Sequence, residues 1–182
     1  MAIRVVIALC AVMLTVLAGC SSDSTSPSNT DPLISGTTFL RADVNGFSFK
    51  CNQISNMSTE IAPTVMAKEI ETNKYEISIS GDSYSMSGIV TLRVSAVIAN
   101  TTGTYEIGGS SEAAQITSNY NTGSLSTAGL YSSEAKDKGT LTITSFNTSK
   151  RRIAGTFSTN LFRQLSSAAT IPVTKGTFEI GY

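Results

Sequence analysis

The segment from Val90 to Ile98 alternates strictly at first: Val90, Leu92, Val94, Ala96 and Ile98 are apolar, while Thr91, Arg93 and Ser95 between them are polar. A period of two belongs to a strand with one buried face, because successive side chains point to opposite sides of a sheet. The pattern recurs along the chain. Tyr75, Ile77 and Ile79 alternate with Lys74, Glu76 and Ser78, and Leu40, Ala42 and Val44 share one face. Residues 139–146 and 151–157 read the same way and flank Asn147-Thr-Ser-Lys150, a loop of hairpin length. No segment keeps a 3.6-residue apolar period over a useful length. The chain therefore reads as all-β, an antiparallel β-sandwich or an incomplete β-barrel.

Two local signals refine that reading. Asn45-Gly46 follows an alternating run, and both residues accept the positive φ of a type I′ hairpin turn. A unit Gly-Thr-apolar begins at Gly103, Gly139, Gly155 and Gly176, at spacings too irregular for a solenoid or propeller. In each unit the glycine is expected to relieve twist or permit a bulge where a strand starts. The threonine should face outward and the large residue after it inward.

The N-terminus is of another kind. Val5 to Leu17 is apolar, too short to span a bilayer as a helix, and follows a single basic residue, Arg4. Leu17-Ala18-Gly19-Cys20 resembles the bacterial lipobox at all four positions. That resemblance implies a signal peptide over 1–19, cleavage after Gly19 and acylation of Cys20, an anchor of several fatty chains holding the protein to a membrane. Residues 20–35 comprise this cysteine and a tether rich in Ser, Thr, Asp, Asn and Pro, too polar to bury a core. Ser21 stands where an Asp would retain an enteric lipoprotein in the inner membrane, so the expected place is the outer membrane, on its periplasmic face or at the cell surface. Asp23-Ser24-Thr25 resembles a Bacteroidetes O-glycosylation sequon and makes Ser24 a candidate site, although a plain serine-rich linker gives the same sequence. Residues 36–182 remain for a single antiparallel β domain.

Composition excludes several functions. Lys plus Arg and Asp plus Glu number thirteen each, so no basic field exists to attract nucleic acid. The chain contains no histidine, which removes histidine-based triads and dyads and the usual zinc sites. No phosphate-binding or dinucleotide glycine loop occurs, and no carboxylate pair is placed by a motif. No enzyme activity, cofactor or metal is expected. Cys51 is left alone once Cys10 leaves with the signal peptide and Cys20 carries lipid, and at strand spacing from Phe47 and Phe49 it reads as a small buried hydrophobe. Tyr84, Tyr120 and Tyr131 lie in Ser/Gly-rich stretches that read as loops, which makes them candidate ligand contacts. Lys150, Arg151 and Arg152 read as a solvated hairpin tip.

Leu40-x-Ala42-x-Val44-Asn45-Gly46-x-x-Phe49, followed by Gly139 to Asn147, Ile153 to Phe157 and Val173-x-x-Gly176-x-Phe178, is similar to a family of Bacteroidetes outer-membrane or surface lipoproteins of unknown function. An aromatic is usual in that family where Leu40 stands. The resemblance implies an antiparallel β domain on a lipid anchor and assigns no catalytic residues. Two function classes follow. One is a non-catalytic binding or structural module for a glycan, a peptide or an envelope protein. The other is a lipocalin-like carrier of a small apolar ligand, which needs a roomy interior; seven Phe and no Trp suggest a filled one.

Overall fold

The computed structural model describes residues 38–52, 63–85, 88–108, 114–122, 128–164 and 169–182, all within the unit Asp31–Tyr182. Cys20 and Ser24 lie outside the described residues. Every regular element among those described is a strand: β1 (Phe39–Val44), β2 (Phe47–Asn52), β3 (Thr64–Glu71), β4 (Lys74–Ser85), β5 (Gly88–Ala99), β6 (Gly103–Ile107), β7 (Ala114–Thr122), β8 (Gly129–Ser132), β9 (Gly139–Asn147), β10 (Arg152–Arg163) and β11 (Thr170–Gly181).

The strands join in the order β2-β1-β11-β10-β9-β6-β7-β5-β4-β3, and β8 pairs with both β10 and β7. Pairing thus closes through β6, β9, β10, β8 and β7 into a five-strand barrel, with the other strands extending outside it. Among the described residues all ladders are antiparallel except the parallel step Ile107↔Ala114 between β6 and β7. The first hairpin also packs back on β4. The Lys50 N–H donates to Ser83 Oγ at 3.2 Å, and Cys51 Sγ fills the space a Cβ on Gly81 would need. Cys51 is buried and acts as a small hydrophobe.

Turn chemistry fixes the register. Asn45 and Gly46 have φ of 51° and 81°, as the Asn-Gly pair requires, and the Gly46 N–H donates to Asp43 Oδ1 at 2.8 Å. Between β9 and β10 the left-handed position falls on Arg151, φ 52°, and Asn147 Oδ1 accepts from the Lys150 N–H at 2.8 Å.

One core cluster runs through the molecule, supplied by the alternating faces read from the sequence: Leu40, Ala42 and Val44 on β1, Ile77 and Ile79 on β4, and Val90 to Ile98 on β5. The four Gly-Thr units meet in two antiparallel pairs. On β10 and β11, Gly155 faces Phe178, Thr156 faces Thr177 and Phe157 faces Gly176. On β6 and β9, Gly103 faces Ile143 and Ile107 faces Gly139. Each glycine of the first pair lies under the ring opposite it: a Cβ on Gly155 would come within 2.7 Å of the Phe178 ring, and one on Gly176 would overlap Phe157. The glycine spares room for a cross-strand aromatic, which is the packing the unit supplies.

Candidate functional site

β10 changes partner along its length. Arg152 to Ser158 pair with β9, whereas Phe162 and Arg163 pair with β8. β8 and β9 run in the same direction along this edge, and the residues between them leave the ladder: Ser133 to Gly139 cover a stretch opposite only Thr159, Asn160 and Leu161. The excursion is tied down at each end. The Ser133 N–H donates to the Ile116 carbonyl at 2.9 Å, and Ser133 Oγ accepts from the Ile116 N–H at 3.1 Å. Lys136 Nζ stands 3.9 Å above the Phe162 ring, and Lys138 Nζ reaches Glu106 Oε1 at 3.0 Å. Gly108, with φ of 76°, lets its backbone approach that of Glu134, where a Cβ would collide.

A second irregularity sits on the other edge of β10. Phe157 faces Gly176 and Thr159 faces Val173, so Ser158 stands opposite both Thr174 and Lys175. Ala42 on β1 faces the same bulge. Lys175 takes φ of 52° inside a paired strand, a conformation that costs a side-chain-bearing residue about 1–2 kcal/mol.

Where the two irregularities meet, a cleft of about 310 Å³ opens on the outside of the sheet. Asp137, Lys138, Thr140, Ser158, Asn160 and Thr174 line it, and Gly139, Thr159 and Val173 form its buried floor. Asn160 Nδ2 donates to Asp137 Oδ2 at 2.7 Å. The backbone of Asn160 faces the same space. The Asn45 N–H donates to the Pro172 carbonyl at 2.8 Å, so the backbone of Pro172 points to β1. Asn160 pairs with Pro172, and successive residues of an antiparallel ladder point their backbone groups to alternate edges. The N–H and C=O of Asn160 therefore point to the edge that β9 has left, with Thr159 Oγ1 donating to that carbonyl at 3.2 Å. The ring-bearing proline of β11 sits where no N–H is needed by β10.

Among the described residues the lining is polar and carries one carboxylate, bonded by the Asn160 amide, and one ammonium, paired with Glu106. This arrangement can hold hydrogen-bonding groups. It lacks the facing pair of carboxyls that glycoside hydrolysis uses, and among the described residues no three metal-ligating side chains converge. A second depression of about 310 Å³, beside Glu76, Ser95, Val97 and Gln115, lies where the β5–β7 ladder ends at Ala96↔Ala114, over continuous β4–β5 pairing. Tyr75 packs edge-on against Phe146 and Tyr182, with centroids 4.9 and 5.9 Å away, Phe146 and Tyr182 are tilted at 6.3 Å, and Arg151 lies 5.5 Å from the Tyr182 ring centroid. Burial first, and the neighbouring Tyr75 second, push the Tyr182 hydroxyl above its ordinary pKa.

The tyrosines singled out in the sequence fall elsewhere, and the loop assignment is corrected. All three lie on strands. Tyr120 on β7 and Tyr131 on β8 are 5% and 0% exposed, with their rings edge-on inside the barrel. The Tyr120 hydroxyl accepts from Asn45 Nδ2 of the first hairpin turn at 3.4 Å. Tyr84 on β4 is 38% exposed but stands apart from the cleft. Gly139, Thr140 and Val173 belong to patterns read as strand signals, and no motif marks the cleft residues as a site. Their signal was the polar run from Ser132 to Lys138 ahead of β9, together with Pro172 and the Lys175-Gly176 step inside an otherwise regular strand. In comparisons with known proteins, the chain matches no family model, no curated protein and no solved structure.

Proposed function

We propose that the chain is a lipid-anchored protein of the bacterial outer membrane, and that its β domain is a non-catalytic binding module holding a small hydrogen-bonding part of an envelope glycan, peptide or protein in the cleft beside β10. The observation that carries the reading is the coincidence of the partner change of β10 with the bulge of β11. Bulges re-aim side chains and interrupt pairing next to functional sites, and here two interruptions open one polar cavity. The anchor rests on Leu17-Ala18-Gly19-Cys20. Binding without turnover is supported by the absence of histidine from the chain and by the prior engagement of both charged groups in the cleft. A binder is favoured over a lipocalin-like carrier because interior positions are taken by large side chains, with Phe157, Phe178, Tyr120 and Tyr131 among them.

Calorimetry of the detergent-solubilised full chain with soluble fragments of its own envelope polysaccharide tests this reading. Binding should weaken about tenfold in Asp137→Ala, the size expected for one hydrogen bond to a charged group, and should be unchanged in Tyr84→Ala. The recovered ligand should be chemically intact. Turnover of the ligand, or binding indifferent to Asp137→Ala, would overturn it.

A further inference from the structure

We infer that the open backbone rung of Asn160 selects a vicinal diol, so that the group held in the cleft is a neutral sugar with two adjacent free hydroxyls; this rests on the binding-module reading above. The N–H of Asn160 offers a donor, and its C=O keeps one lone pair as an acceptor beside the one that takes the Thr159 hydroxyl, the two groups side by side and aimed at the space β9 has left. The nitrogen and oxygen of one residue are separated by three covalent bonds, as are the two oxygens of a 1,2-diol, so the two pairs span similar distances. One diol oxygen accepts from the N–H while the neighbouring hydroxyl donates to the carbonyl.

The surroundings narrow the ligand further. Asp137 uses Oδ2 for the Asn160 amide, and its other oxygen is an acceptor only, suited to a hydroxyl and unsuited to a phosphate or carboxylate. Lys138 offsets this charge only in part, because Glu106 shares its ammonium at 3.0 Å. The exposed Thr140, Ser158 and Thr174 add hydroxyls able to donate or accept. An extended peptide fits less well. Strand addition uses consecutive free rungs, whereas the positions on either side of Asn160 are filled, Ser158 by Thr140 and Phe162 by Ser132. A diol needs one rung only.

The test is an amide-shift titration of the ¹⁵N-labelled full chain in detergent micelles. The probes are the methyl pyranosides of glucose, galactose and mannose, their 3-deoxy analogues, which retain no adjacent pair of free hydroxyls, and N-acetyl-trialanine amide. At least one parent sugar should move the Asn160 amide, and its 3-deoxy analogue should bind about tenfold more weakly. Equal binding of the 3-deoxy analogue would overturn the diol assignment while leaving the binding module intact. A response to the peptide alone would replace the sugar by a peptide at the same site. Silence of the Asn160 amide toward every probe at its highest soluble concentration would also overturn the assignment; calorimetry with the polysaccharide then decides the module reading separately.

Discussion

Lys175 holds φ of 52° in the middle of β11, where a glycine would sit without strain. Lys175→Gly should therefore raise stability by up to about 1 kcal/mol, measured as a higher urea midpoint at unchanged slope. A fall in the midpoint would mean that the lysine side chain contributes more than its backbone loses. The bulge was legible in the sequence as a change of phase. Ile171 and Val173 place the inward face on odd positions, and Gly176, Phe178 and Ile180 place it on even ones. Ser118 is the counterpart inside the barrel. It is buried on the inward face of β7, and its Oγ has no hydrogen-bond partner. An unsatisfied buried hydroxyl costs about 1–3 kcal/mol, so Ser118→Ala should stabilise the domain by about 1 kcal/mol in the same assay. Destabilisation would indicate that the hydroxyl has a bridging partner such as an internal water.

At the scale of elements, alternation and turn residues were enough to place β1, β4, β5, β9 and β10 and the first hairpin. Partners were harder to read. The Gly-Thr units announce strands, but nothing local tells that Gly155 will lie under Phe178 and Gly176 beside Phe157, because each contact joins separate strands. Tyr120 reads as a loop residue for a related reason: Ala114, Ile116, Ser118 and Tyr120 alternate inward, yet the surrounding Ser and Asn residues give the segment the composition of a loop. The glycine–aromatic pairing has a measurable consequence. Gly176→Ala should cost about 1–3 kcal/mol by overpacking against the Phe157 ring. Phe157→Leu removes the ring contact and leaves the Phe157 carbonyl oxygen, 2.5 Å from the same Cβ position, so the double change should cost somewhat less than the sum of the two single changes. Strict additivity would contradict the packing described here.

For the whole molecule, the all-β class was legible because no apolar 3.6-residue period competes with the period of two. Closure was not, since it depends on β8 bridging β7 and β10, a contact between short segments with no sequence marker. The cleft was hidden for the same reason: it arises from where β9 stops and β8 takes over, and its residues are ordinary polar ones. The anchor is tested by Cys20→Ala, which should leave a precursor that takes up no fatty-acid probe and is not cut after Gly19. Equal labelling of wild type and variant would remove the lipoprotein reading.

The central claim, that ligand is held where β10 changes partner, is tested most directly by hydrogen–deuterium exchange of the full chain with and without its own envelope polysaccharide. Exchange should slow over residues 133–139 and 159–161, the excursion and the stretch of β10 it exposes, and should stay unchanged in the turns at 72–73, 100–102 and 148–151. Protection confined to those turns, or no protection by a polysaccharide that the protein demonstrably retains, would contradict it.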